Sequence, residues 1–109
     1  VQSHNPVNNF EKTIIMKKYK KIISFLQNNY IKICMITFPV SSQYRKSSNE
    51  FPNYKKVKKY FIELSNKNKN KIKYFDLSAS VNDKYFKDPD HISKEFTNFD
   101  EMLLKKCNF

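Results

Sequence analysis

Two short β-branched runs divide this chain. IKICMITF, residues 31–38, and a second run at residues 72–77 with KYFDL at its centre each lie between segments whose apolar residues recur at helical spacing. A run of this length, apolar on both faces apart from Lys32, suits a strand buried from both sides in a parallel sheet. Ahead of it, Phe10, Ile14, Ile15, Tyr19, Ile22, Ile23 and Leu26 predict an amphipathic helix over about residues 9–28, with Lys12, Lys17, Lys20 and Lys21 on its other side. Asn28-Asn29 is expected to end that helix, since Asn tolerates the left-handed conformation. Between the runs, Tyr54, Val57, Phe61 and Leu64 predict a second helix over about residues 52–66, with Pro52 in its first turn and NKNKNK as its lysine-rich end. Beyond His91, Ser93 can cap a last helix carrying Phe96, Phe99, Met102 and Leu103. Residues 39–50 and 78–89 read as polar loops. The order α-β-α-β-α implies an α/β fold with right-handed crossovers, a parallel sheet and helices on its faces in three α/β/α layers.

The 109 residues are enough for one domain, an irregular segment at residues 1–8 followed by a single α/β unit at residues 9–109. Two strands do not make a parallel sheet with both edges paired, so the unit is expected to be incomplete alone. The missing strands are expected from an N-terminal part of the same protein, because the chain begins at Val1 rather than Met, or else from a partner chain or self-association. The longest apolar stretch, residues 31–40, contains Lys32 and is too short to span a bilayer, and no secretory signal is visible.

Glycine is absent altogether, which excludes Gly-rich phosphate cradles and with them dinucleotide and mononucleotide loops. No cofactor is implied. The net charge of +11 comes from 21 basic residues of which Arg45 alone is arginine, and the lysines are spread along the whole chain. Specific nucleic-acid sites favour arginine and concentrate charge on one face, so the lysines read as a solvated surface with weak polyanion binding as a side effect. Cys34, inside an apolar run, reads as a small buried hydrophobe, and its spacing from Cys107 suggests neither a metal pair nor a disulfide framework. His4 is a lone histidine in the irregular segment.

In an open parallel sheet the chemistry gathers outside the carboxyl ends of the strands. The second of those loops leads into Asp88-Pro89-Asp90-His91. A carboxylate three residues ahead of a histidine can fold back across a tight turn and accept a proton from one ring nitrogen, leaving the other as a base. Asp88-Pro89 also has the chemistry of a plain turn, and Asp90 that of a helix cap. A metal site would need a further ligand; Asp83 and Asp90 are near in sequence, but no metal motif is formed and none is expected.

The D-x-x-H of Asp88 and His91, placed between a late strand and a terminal helix, resembles the last block of the SGNH (GDSL-like) hydrolase superfamily. The helix, the strand ICMITFP, the loop, the helix and the strand IKYFDLS before it resemble the C-terminal half of such proteins, in the flavour of bacterial members linked to O-acylation of cell-surface polymers. The resemblance covers roughly residues 10–105. It implies a flavodoxin-like three-layer fold in which Asp88 orients His91, and His91 is the general base for a serine that attacks an ester of an acylated carbohydrate or surface polymer. The family's Gly-Asp-Ser block and its Gly and Asn oxyanion donors are not found in these residues. Val81-Asn82-Asp83 comes too late in the order to be the Asn block, and Glu95 stands where relatives often have Gly. The expectation is therefore the C-terminal portion of a serine esterase or O-acyltransferase, inactive by itself; its compartment is left open, with a cytoplasmic or membrane-associated cell-envelope setting following if the full-length protein has an upstream anchor. Ser41 and Ser42 read as part of the pocket rim, and Arg45 as a solvated surface arginine or, in the sharper reading, as a contact for an anionic or polymeric substrate. The alternative is a non-catalytic basic α/β module that contacts acidic polymer or nucleic acid.

Overall fold

A computed structural model of the chain describes residues 9–93, 96 and 98–109. The irregular segment with His4, and Glu95, lie outside the described residues. The elements are α1 (Ile14–Asn28), β1 (Ile33–Thr37), α2 (Ser42–Ser48), α3 (Pro52–Lys67), β2 (Ile72–Asp76), β3 (Phe86–Asp88), β4 (His91–Ile92) and α4 (Phe99–Lys106). β1 and β2 pair in parallel, Ile33 opposite Ile72 through Thr37 opposite Asp76, and β3 and β4 form a separate antiparallel hairpin. The result is a small α/β fold with alternating helices and two short sheets. None of its described helices is long and apolar enough to cross a membrane.

Strand alternation sorts the packing. Ile33 and Met35 of β1, with Ile72 and Tyr74 of β2, share one face, and there they meet Tyr19 and Ile23 of α1 and Phe61 and Leu64 of α3. Phe61 makes an edge contact with Tyr19 and stacks on Tyr74, both at 5.7 Å between ring centres. Cys34 and Phe75 belong to the opposite face. Phe75 lies under the Lys106 ammonium at 5.6 Å, and Cys34 is joined to Cys107, just after α4, by a disulfide.

That disulfide corrects the expectation that Cys34 is merely a buried hydrophobe. The two cysteines lie 73 residues apart, and only the return of α4 across the sheet brings their Cα atoms to 5.6 Å. The stretch expected as a loop over residues 39–50 contains α2, which no apolar periodicity announces. Its start is held by Ser41, whose side chain accepts from the Tyr44 N–H, and by the distant Asp83 carboxylate, which accepts from the Ser42 N–H at 2.8 Å. The loop expected over residues 78–89 contains a 3-10 turn, Asp83–Tyr85, and the first strand of the hairpin. Ser93 does not cap the last helix: its N–H donates to the Tyr85 carbonyl at the hairpin's end, and α4 starts at Phe99 after Asn98.

α1 ends where expected but by another residue. Tyr30, not an asparagine, adopts the left-handed conformation at φ 59°, while Asn29 stays at φ −98°. The Tyr30 N–H donates to Gln27 and the Ile31 N–H to Leu26, the paired bonds of a Schellman termination whose left-handed position glycine usually fills. A glycine-free chain has a Cβ there, at a cost of about 1 kcal/mol. Tyr30 is almost wholly exposed, so Tyr30→Gly is expected to raise the unfolding free energy by about 1 kcal/mol in denaturant titration. Cys107→Ser, or reduction, releases a long loop and is expected to lower it by about 4 kcal/mol in the same assay.

Candidate functional site

Both strands of the parallel pair point their carboxyl ends the same way, and three contacts tie together the segments that follow. The Val40 N–H donates to the Ser78 carbonyl at 3.1 Å. Arg45 Nη1 donates to both Val40 O at 2.7 Å and Ser78 O at 2.8 Å, so one guanidinium joins the exit of β1 to the exit of β2. The Ser41 N–H donates to Pro89 O at 2.9 Å, which fixes the tip of the β3–β4 hairpin against the start of α2.

The hairpin tip is Asp88-Pro89-Asp90-His91. Its tightness is set by Asp88, whose Oδ1 accepts the Asp90 N–H at 3.2 Å in an Asx turn. The same carboxylate meets His91 Nδ1 at 2.7 Å through Oδ1 and 3.0 Å through Oδ2. A carboxylate that accepts at Nδ1 fixes the proton on that nitrogen in the neutral ring and leaves Nε2 with its lone pair. Both side chains are accessible, His91 at 63% and Asp88 at 43% exposure, so an approaching group can reach the imidazole.

Asp90 joins the pair. Its Oδ1 lies 3.1 Å from His91 Nδ1, so it flanks the imidazole instead of capping a helix. Among the described residues, Asp88, Asp90 and His91 form the cluster whose ligand atoms, one from each, all fall within 4.8 Å of one another. Two carboxylate oxygens and a ring nitrogen at that spacing can bind a cation, and they can equally stabilise an imidazolium. The Asp90 charge also reaches Tyr44 on α2, whose phenol is pushed up first by burial and then by that carboxylate.

The rim residues are placed as follows. Ser41 is buried, with its hydroxyl capping α2. The Ser42 hydroxyl donates to an oxygen of Asp83, which pulls the Asp83 carboxyl below its usual range. Asp83, weighed from the sequence only as a metal ligand, instead acts on Ser42 from 41 positions away, and no local pattern signals that role. Arg45, Ala79, Val81, Asn82 and Asp83 line an open cleft beside the rim.

The chain has no match among protein-family models, curated proteins or solved structures. What is established is thus an α/β unit with an accessible Asp–His cluster at its carboxyl-end rim, able to hold an ion or ligand.

The His91 hydrogen bond holds the Asp88 carboxyl below its ordinary value, so the charge-assisted pair is intact above the unfolded carboxyl pKa of about 4 and is lost as pH falls through the lower folded value. Carboxyl-carbon NMR is expected to show Asp88 titrating below an ordinary aspartate, and His91→Ala is expected to move that midpoint upward.

Proposed function

We propose that this chain supplies the carboxylate–imidazole half of a serine hydrolase or acyltransferase site of the SGNH type. The observation that carries the reading is the 2.7 Å bond from His91 Nδ1 to Asp88 in an accessible hairpin tip. It is supported by the Ser41–Pro89 bond, which puts that tip beside the exit of β1, and by helices that reach both faces of the parallel pair.

In this reading Asp88 keeps the ring proton on Nδ1 and stabilises the imidazolium, while Nε2 removes the proton from a serine hydroxyl. The serine oxygen attacks the ester carbonyl, the leaving alkoxide takes the proton from Nε2, and an acyl-serine remains. Water or a sugar hydroxyl then attacks with its proton passing to Nε2, which returns it to the departing serine oxygen. The serine and the oxyanion donors come from a segment outside these 109 residues. Ser42 and Arg45 form the adjoining rim, where an acylated carbohydrate or surface polymer rests, and the buried Ser41 holds the start of α2 beneath it. The Cys34–Cys107 disulfide favours an oxidising compartment, in keeping with a substrate at the cell envelope.

These residues alone are expected to show no turnover of p-nitrophenyl acetate, for want of nucleophile and oxyanion donors. With the serine-bearing segment present, His91→Ala is expected to cut turnover by about three to four orders of magnitude, and Asp88→Asn to cut it severely as well. Turnover unchanged by His91→Ala rejects the assignment.

A further inference from the structure

We infer that the outer edge of β1 and the adjoining flank of α1 form a docking surface for an acidic, strand-forming segment of a partner protein. The inference uses the edge of β1 and the flank of α1, not the Asp88–His91 pair, and of the sources expected for a flanking strand it takes the partner chain.

The Ile33 N–H donates to Lys71 O at 2.8 Å, and Thr37 O accepts from the Leu77 N–H at 3.1 Å. Residues 33, 35 and 37 thus turn their peptide groups toward β2, and by alternation Cys34 and Ile36 turn theirs to the other side. Among the described residues no strand lies there, because the parallel sheet consists of β1 and β2 alone. Both residues are half-buried, and among the described residues no ladder partner takes their N–H and C=O groups. The edge of β2 differs. Its Ile72 N–H donates to Asn68 O, and its Ile72 carbonyl accepts from the Ser65 hydroxyl.

The helix above β1 points the same way. One flank of α1 faces α3, with Lys20 5.7 Å from the Tyr60 ring and Gln27 hydrogen-bonded to Asn68 at 3.1 Å. At about 100° per residue, Ile15, Ile22 and Phe25 fall on the opposite flank. They are 81%, 58% and 64% exposed, an apolar stripe on a helix whose core-facing side is already filled by Met16 and Ile23.

Charge selects the occupant. Apart from Lys20, which faces α3, α1 carries Lys17, Lys18 and Lys21 and no acid, Lys32 precedes β1, and no Asp or Glu occurs between Glu11 and Glu50. A second copy would bring a further +11 to this surface, whereas a strand with acidic ends would neutralise the lysines that border it. Main-chain bonds to Cys34 and Ile36 would supply the pairing, and the Ile15–Ile22–Phe25 stripe would cover one face of the added segment.

The test uses this chain with a synthetic peptide of about ten residues, alternating Val and Thr between Glu-rich ends, beside controls with Lys-rich ends or a central Pro. The Glu-ended peptide is expected to slow hydrogen exchange at the Cys34 and Ile36 amides about tenfold, and to bind about tenfold more tightly than the Lys-ended one. Ile22→Glu is expected to weaken its binding about tenfold while circular dichroism stays unchanged, since this side chain is largely exposed. No protection of those two amides by the Glu-ended peptide, or equal binding by the Lys-ended one, overturns the proposal. So does sedimentation showing that paired copies of the chain already protect them.

Discussion

Everything at the candidate site depends on the parallel pairing of Ile33–Thr37 with Ile72–Asp76. Because the two strands run the same way, the segments that leave them emerge side by side. A single arginine can then bond carbonyls from both exits, and the start of α2 can hold the hairpin tip. The core that enforces the pairing is small: Ile23, Met35 and Ile72 are buried, with Tyr19, Phe61 and Tyr74 around them. The disulfide secures the other face, where α4 returns with Lys106 over Phe75 and Phe99 against Phe38. A unit with so little buried apolar surface gains most from a cross-link that restricts its unfolded chain.

Electrostatics divide the molecule more sharply than the net charge suggests. Four of its ten acids, Asp76, Asp83, Asp88 and Asp90, gather on the segments that follow or end at the carboxyl side of the sheet. Each has a specific interaction. Burial works against the charge of Asp76, but the Lys58 ammonium at 2.6 Å and the Ser78 N–H at 3.0 Å hold its carboxyl low. Asp83 holds α2, Asp88 holds the imidazole, and Asp90 flanks that ring and raises Tyr44. The stretch from α1 through β1 has no acid at all. One end of the fold therefore gathers paired carboxylates around an imidazole, and the flank beside β1 is basic and apolar.

The Asp–His pair was legible because its cause is local. Donor and acceptor are three positions apart, proline and an Asx bond close the turn, and the strand–loop–helix context places it at the sheet's end. The rim was legible only as a location. Ser42 and Arg45 stand in the expected loop, yet their bonds to Asp83 and to the Ser78 carbonyl span 41 and 33 residues. Asp90 lay within the recognised motif, but whether it capped a helix or flanked the ring depended on where α4 begins. Ser93 closes the hairpin, so α4 starts at Phe99, six residues beyond the expected cap.

Periodicity by itself determined α1, α3, β1 and β2, since burying one helical face or a β-branched run rewards those patterns wherever they occur. It determined the α/β class and the carboxyl-end position of Asp88 and His91 as well. Only the tertiary structure decided that Ser42–Ser48 is helical, that residues 86–92 form a hairpin, that Tyr30 takes the left-handed turn and that Cys34 bonds Cys107. Three of these four depend on partners brought together by the fold: the Asp83 cap, the Ser41–Pro89 bond and the return of α4. The Tyr30 turn depends on which carbonyls the last turn of α1 leaves open to the N–H groups that follow. A one-dimensional pattern records what each segment prefers to bury, and the partners of its polar groups appear only once the chain has folded.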